Sequence, residues 1–274
     1  MKRLLLLLLF PAILNAAEHD HSAAAPAPAV DHSAHTASPA VVVDRDDSPA
    51  MQEARHMNLM MHGDSLNFLL LGERFEQAED DGVTSRLWEA QGWYGSDINK
   101  FWFKTEGAYD VDADATDHSE VQALYSRAVA PFWDLQAGVR RDDSGSASRT
   151  HAVLGLMGLA PYWFEVDAAA FLSEHGDVSA RLETEYELRF TQKVILQPRL
   201  ELNYSFADDP ALGIGKGLSD AGFGLRLRYE VRREFAPYVG VEWSRAYGDT
   251  AALLRAAGRE CEELKLIAGL RFWF

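Results

Sequence analysis

Histidine and methionine, side chains that bind soft metal ions, are concentrated near the start of this 274-residue chain. Four methionines lie between residues 51 and 61, and three of them are Met57, Met60 and Met61. Their i, i+3 and i+4 spacing would gather three sulfur atoms on one helical turn. Thioether sulfur favours the cuprous ion, whereas imidazole accepts either oxidation state of copper. The pattern predicts a copper(I) site; the alternative is an apolar patch on a short helix that packs against the rest of the protein.

Further candidate ligands surround this group. Met51 precedes it, and His56 and His62 bracket it. Four more histidines lie upstream: His19, His21, His32 and His35. The first two form a His-x-His motif, Asp-His-Ser occurs at 20–22 and 31–33, and His35 lies two residues beyond the second copy. We expect these exposed imidazoles to suit copper(II) as well as copper(I). The alternative is a solvated linker that happens to contain histidine, because histidine-rich composition alone is a weak signal of metal binding.

The amino terminus has the layout of a secretory signal peptide. A basic start and an apolar run at 4–14 are followed by the small residues Ala16 and Ala17, and the run is too short to cross a membrane as a helix. We therefore predict a signal peptide at 1–17. Residues 18–64 are predicted to be a disordered periplasmic metal-binding extension, because their apolar surface is too small to offset the entropy of ordering.

The remaining residues, 65–274, alternate between apolar and polar positions as β-strands do. In the last segment Phe272 and Leu270 share one face, while Arg271 and Lys265 lie on the other. The alternating segments are about a dozen residues long, whereas strands of soluble sheets usually have about five or six. Long strands behind a signal peptide are typical of tilted membrane-spanning strands around a polar lumen. A soluble periplasmic protein is the alternative.

The fold class that follows is all-β, a transmembrane antiparallel up-and-down β-barrel of about twelve strands. The expected strands are 66–76, 83–94, 98–109, 119–129, 132–142, 150–160, 162–173, 178–190, 194–206, 219–231, 237–247 and 260–274. The connections between them are expected to alternate between short turns and longer loops. That alternation fits a barrel in the lipid of a Gram-negative outer membrane, with both termini and the extension in the periplasm.

Several side chains are predicted to point into the lumen of this barrel. His151 and Met157 share one face of a predicted strand, and Glu183, Glu185 and Glu187 share a face of another. All five are candidate contacts for copper. We expect most lumenal charges to be paired with arginines, because an unpaired charge in a narrow lumen is costly. A cation path along the surplus carboxylates is the alternative.

Composition excludes several other classes of function. The formal net charge of −16 argues against a nucleic-acid partner, since phosphate contacts need clustered cations, and it favours cations as partners. Cys261 is the single cysteine, which excludes an intramolecular disulfide and a zinc site built on several thiolates. The nearest approach to a catalytic group is an Asp-His-Ser sequence at 117–119, so we expect no enzymatic activity and no catalytic centre.

The barrel segments resemble the copper-resistance protein B family of the bacterial outer membrane. The stretch WYGSDINKFWFKTEG at 93–107 carries part of the resemblance. Further matching stretches are 124–140, 159–167, 176–183, 195–203 and 232–241. The resemblance covers the chain from about residue 64 to its end. It implies copper handling at the outer membrane, usually beside a periplasmic multicopper oxidase.

The amino-terminal segment departs from the family's pattern. The family typically has a longer array of Met, His and Asp repeats, whereas only Asp-His-Ser copies remain here, with no methionine inside them. This difference shifts the predicted copper site to residues 51–62. The predicted function is an outer-membrane copper resistance protein that binds copper through this segment and handles or transports it. A passive channel and a structural docking barrel for a periplasmic copper oxidase remain as alternatives.

Overall fold

The computed structural model describes residues 65–80, 83–144 and 147–274. These residues form a closed antiparallel β-barrel, as the sequence predicts. The predicted signal peptide at 1–17, the predicted extension at 18–64 and all ten of its candidate metal ligands lie outside the described residues.

The wall of the barrel has twelve strand positions, which confirms the predicted number. The strands are β1 (Asn67–Asp80), β2 (Val83–Gly95), β3 (Asn99–Asp110), β4 (Ala115–Ala130), β5 (Trp133–Asp143), β6 (Ser148–Ala160), β7 (Phe164–Ser173), β8 (Val178–Glu185), β9 (Leu188–Arg189), β10 (Val194–Ser205), β11 (Gly217–Tyr229), β12 (Phe235–Ala246) and β13 (Glu262–Trp273). The short strand β9 and the longer β8 both pair with β10, so together they fill one position.

The barrel closes between its first and last strands. β1 pairs antiparallel with β13, with Leu71 opposite Trp273. Beyond the last strand, the backbone N–H of Phe274 donates to the carbonyl of Leu70 at 2.8 Å. The N–H of Leu70 donates to the carbonyl of Phe274 at 3.0 Å. The carboxyl-terminal residue therefore takes part in the closure, and the ladder has no free edge, as a membrane-spanning sheet requires.

Two kinds of connection lie at opposite ends of the barrel. One end has the short turns 96–98, 131–132, 161–163, 190–193 and 230–234. The other has 81–82, 111–114, 144–147, 174–177, 206–216 and 247–261, of which the last contains helix α1 (Gly248–Ala256). We call these the short-turn end and the loop end. None of the helices among the described residues is long and apolar enough to cross a membrane.

The strands predicted from sequence leave longer loops at 77–82, 110–118 and 143–149, and these lengths are wrong, because the structure has shorter connections at 81–82, 111–114 and 144–147. β1 continues to Asp80 and β2 starts at Val83, so only two residues connect them. Polar side chains in these segments favour loops in the sequence pattern. The strands nevertheless continue through them, because the hydrogen bonds of the ladder join backbone groups and do not depend on the polarity of the side chains.

The two faces of the wall differ as the period-two pattern predicts. On β6, the side chain of Leu154 is 57% exposed on the outside, whereas Val153 is 6% exposed on the inside. Large aromatic residues are exposed near the short-turn end: Phe68, Tyr94, Phe101, Phe132, Tyr162, Trp163 and Phe190. An apolar outer band bounded by aromatic residues matches the surface that transmembrane barrels present to lipid.

Candidate functional site

One half of the lumen is filled by arginine side chains from β10 and β11. Arg199, Arg226 and Arg228 are almost fully buried there. The Nε of Arg226 lies 2.7 Å from Glu76 of β1, and another guanidinium nitrogen lies 2.5 Å from Glu242 of β12. Each cation thus meets carboxylates from other strands, which offsets the cost of removing it from water.

The predicted lumenal carboxylates of β8 and its extension belong to this network. Arg199 lies 2.6 Å from Glu183 and 3.4 Å from Glu185. Arg228 bonds to Glu187. The three glutamates are therefore ion-paired, as expected for most lumenal charges, and they form no free row of carboxylates.

The other half of the lumen is open and encloses a cavity of about 350 Å³, which we call the turn-side cavity. The described residues that line it come from β1 to β8 and from the turn at Phe132, and none comes from β10 to β13. Nine carboxylates are among them: Glu73, Glu89, Glu106, Glu120, Asp134, Glu165, Asp167, Glu183 and Glu185. Only two cations, Lys104 and Arg181, line the same space. Seven of the nine carboxylates are ion-paired with a lysine or an arginine. Among the described residues, Glu73 and Glu165 have no cation within ion-pairing distance.

The turn-side cavity ends at a group of charged and aromatic side chains. Arg181 of β8 donates to Glu106 at 2.8 Å and to Glu120 at 3.0 Å. Arg140 of β5 lies 2.7 Å from Glu120, and its guanidinium carbon is 4.4 Å from the ring centre of Phe171. We call these five residues the partition, because Arg181 and Phe171 line a second cavity as well.

This second cavity, of about 210 Å³, lies toward the loop end, and we call it the loop-side cavity. The connection at 206–216 contributes to its lining through Asp209, which Arg149 holds with two contacts of 3.0 and 3.3 Å. His151 also lines this cavity, with its Nδ1 3.5 Å from a carboxylate oxygen of Asp142. The predicted lumenal residues His151 and Met157 therefore share a strand face but lie in different cavities.

Met157 lines the turn-side cavity. Its sulfur accepts a hydrogen bond from Nε2 of Gln136 at 3.5 Å. In the ladder, Met157 lies directly between Asp134 of β5 and Asp167 of β7. Its side chain also packs against the buried hydrophobic cluster Trp102, Leu124, Val153 and Phe171.

Two lysines of β3 hold the aspartates beside Met157. Lys100 lies 2.8 Å from Asp134, and Lys104 bonds to Asp167. The sequence predicts the face on which Met157 lies but misses Asp134 and both lysines, because the register between neighbouring strands cannot be read from one strand's pattern.

A metal centre built from hard or imidazole ligands is absent from this part of the chain. Within 65–80, 83–144 and 147–274, no group of three or more His, Cys, Asp or Glu side chains is placed to hold a metal ion. The lumenal site residues thus offer a charged path and one thioether instead of a multidentate carboxylate or histidine site.

Comparison with known proteins agrees with the resemblance seen in the sequence. The family model for the copper resistance protein B precursor matches residues 66–274. The chain belongs to the copper resistance protein B family. Copper resistance protein B of Escherichia coli is 40% identical over 214 residues, covering 78% of this chain and 72% of that protein. The copper resistance protein B homolog of Pseudomonas syringae pv. tomato is 40% identical over 219 residues, covering 80% and 74%.

Solved structures with similar folds are outer-membrane barrels. The NanC porin aligns with a TM-score of 0.50 at 12% identity, covering 75% of this chain and 99% of the porin. The KdgM porin aligns with a TM-score of 0.46 at 14% identity and the same coverage. At this level of identity, the likeness to the NanC porin supports the barrel fold alone. Family membership connects this barrel with copper resistance at the outer membrane.

Proposed function

We propose that this protein contributes to copper resistance by passing copper ions through the acidic half of its lumen, and that its His/Met segment binds copper in the periplasm. In this proposal the barrel is not an enzyme. The observation that carries it is the turn-side cavity, which nine carboxylates line. Two of them, Glu73 and Glu165, have no ion-pair partner among the described residues. The family relationship supports copper as the cation.

Two carboxyl groups that line this cavity, those of Glu73 and Glu165, are not part of the ion pairs that stabilise the barrel. The carboxyl group of Glu165 makes no hydrogen bond or ion pair within the described part of the chain, and the residue lies beside the short-turn end. The carboxyl group of Glu73 accepts a hydrogen bond from Gln91 at 2.8 Å instead of meeting a cation at close range. Where these two carboxyl groups are ionised, no cation neutralises them at close range, and their charge raises the concentration of cations in a narrow space.

The position of the candidate copper ligands in the chain supports the same proposal. The described chain begins at Ser65, at the short-turn end to which the acidic cavity extends. In the sequence, Met57, Met60, Met61 and His62 come directly before this point. We propose that this group, on the segment that precedes Ser65 in the chain, holds copper(I) through its thioethers, with histidines accepting copper(II).

The test uses the full-length mature protein in lipid vesicles with a copper-sensitive dye inside. Replacing Glu73 and Glu165 with glutamine should lower copper entry several-fold and reduce the preference for potassium over chloride in planar bilayers. Glu263→Gln is the matched control, because Glu263 is partly exposed near the loop end, pairs with Lys265 and does not line the turn-side cavity. Unchanged copper entry and ion preference in the double variant would contradict the acidic path.

Such a negative result would favour another class of function. In a docking barrel for a periplasmic multicopper oxidase, the wild-type protein would admit no copper, and removal of the oxidase would abolish its contribution to copper tolerance. A passive channel would admit copper and other small ions without preference for cations. Copper entry through a cation-selective wild-type barrel, without an oxidase, separates the proposed function from both.

A further inference from the structure

Met157 is chemically unusual in its position. It is the only methionine after residue 61, and it points into the lumen instead of the lipid-facing surface. A thioether is the one soft donor on the inner wall of the turn-side cavity among the described residues. Its lone pairs are accessible to a polar neighbour, because Gln136 donates a hydrogen bond to the sulfur at 3.5 Å.

Two aspartates lie beside this sulfur, and each of them is paired with a lysine. Asp134 and Asp167 flank Met157 on the two neighbouring strands. Their countercharges are the flexible ammonium groups of Lys100 and Lys104. A monovalent cation that enters beside Met157 can take the place of one ammonium group, so the local charge balance is kept and no carboxylate loses its countercharge.

We propose that Met157, with Asp134 and Asp167 beside it, is a lumenal binding site for copper(I). This proposal rests on the proposed function and deepens it by naming a contact inside the path. The thioether supplies selectivity, because cuprous ions prefer soft sulfur whereas sodium, potassium and magnesium prefer oxygen. The aspartates supply the negative charge that holds the cation in the lumen. A single neutral sulfur binds copper(I) more weakly than several sulfur ligands would, so the ion can leave the site and continue along the lumen.

The cavity beside Met157 favours a ligand over simple filling of the core. Gly155 lies one lumenal position before Met157 and lines the same cavity, although an added Cβ there would be in van der Waals contact with Ala168, Ala169 and Gln136. The turn-side cavity thus adjoins the methionine on the face that carries the sulfur. Packing explains an apolar residue at 157, since the side chain touches the buried cluster, but leucine would satisfy packing equally well.

The test isolates this sulfur in the full-length mature chain. Replacing Met51, Met57, Met60 and Met61 with leucine leaves Met157 as the one thioether after signal cleavage. Copper(I) affinity is then measured without oxygen by competition with a chromophoric chelator. We expect the tightest copper(I) site in this background to depend on residue 157, so Met157→Leu should weaken that binding at least about tenfold.

Two matched variants separate the sulfur from its effects on folding. Norleucine incorporated into the same background replaces the sulfur with a methylene group and keeps the shape of the side chain. The double change Leu156→Met with Met157→Leu moves the thioether to the outer face of β6, where Leu156 is exposed. Both should lose copper(I) affinity as Met157→Leu does, while heat-modifiable mobility on gels confirms that each barrel is closed.

The outcomes distinguish this site from the proposed path. If the folded norleucine protein binds copper(I) as tightly as the parent, the Met157 site is wrong, even where the barrel still conducts cations. If the parent binds copper(I) through Met157 but the wild-type barrel admits neither copper nor potassium, the site stands and the transport function fails. Should Met157→Leu not assemble, the norleucine protein alone decides the result.

Discussion

Arg181 and Glu120 form a 3.0 Å ion pair between the two cavities of the lumen. Arg181 lines both cavities, and Glu120 also receives Arg140 at 2.7 Å. The pair therefore joins β8 to β4 across the lumen, between the two cavities. Glu120 is buried, Arg181 is partly buried, and both have further charged partners, so this pair contributes more than an ion pair exposed at a surface.

The first prediction concerns ion flow through the partition. Arg181→Ala should raise the single-channel potassium conductance several-fold, because it removes the side chain that lines both cavities and frees Glu106 and Glu120 to attract cations. Planar bilayer recordings measure this change. The control is Arg245→Ala, since Arg245 is half exposed and pairs at 3.7 Å with exposed Glu262. Equal conductance in wild type and Arg181→Ala would show that ions do not pass the partition.

The second prediction concerns the stability of the packed half of the lumen. Glu76 is fully buried, accepts a hydrogen bond from Tyr238 at 2.9 Å and pairs with Arg226. Glu76→Ala removes one of the two carboxylates that hold Arg226, so it should lower the free energy of unfolding by about 3–5 kcal/mol. Urea unfolding in lipid vesicles, followed by tryptophan fluorescence, measures the loss.

The matched control for this prediction is Glu263→Ala. Its partner Lys265 is 2.6 Å away, but both side chains are partly exposed. An exposed pair of this kind contributes about 0–1 kcal/mol. Losses of similar size in the two variants would contradict the view that burial makes the Glu76 pair critical.

The inner and outer faces of the wall follow from sequence, but the partners across the lumen do not. Period-two alternation predicts that Val153 and Ile267 point inward, and both are buried. It cannot predict that Glu76 meets Arg226, which is 150 residues away in the chain. That pairing depends on the tilt and stagger of all the intervening strands, which set the height of each residue in the barrel.

The sequence pattern also does not predict that the lumen is divided into an open half and a packed half. Arg199, Arg226 and Arg228 are recognisable as lumenal, but their burial against β1, β8 and β12 requires the closed barrel. The small residues Gly155 and Ala169 in the opposite wall leave the open space. Neither group marks a cavity by itself, because cavity volume is set by side chains of many strands together.

The third prediction tests the orientation of the barrel. Gly213 lies in the loop at 206–216, with φ of +70° and no neighbour within 4 Å of an added Cβ. A short epitope inserted after Gly213 should be detected by antibody on intact cells, because loops of bacterial barrels face outward and short turns face the periplasm. An epitope placed at the mature amino terminus should require permeabilised cells. Exposure of the amino terminus and protection of residue 213 would reverse the topology.

The fourth prediction concerns the candidate ligands outside the described residues. Met57, Met60 and Met61 are neutral donors, whereas His56 and His62 lose their lone pairs when they are protonated below about pH 6. Changing the three methionines to leucine keeps the apolar volume nearly constant and should leave barrel assembly unchanged. Copper(I) binding at pH 5 should fall steeply in this variant.

The matched control changes His56 and His62 to alanine, which should have little effect on copper(I) binding at pH 5 and a larger effect on copper(II) binding at pH 7.5. Titration of the two mature variants at both pH values, in a background with Met157→Leu, measures the contribution of the segment alone. Thioether ligands retain copper(I) at acidic pH because protons do not compete with copper for the sulfur. Imidazole ligands lose copper(I) there because protons bind the same nitrogen. Parent-like copper(I) affinity in the triple leucine variant would assign the metal to the histidines and remove the thioether site from the proposed function.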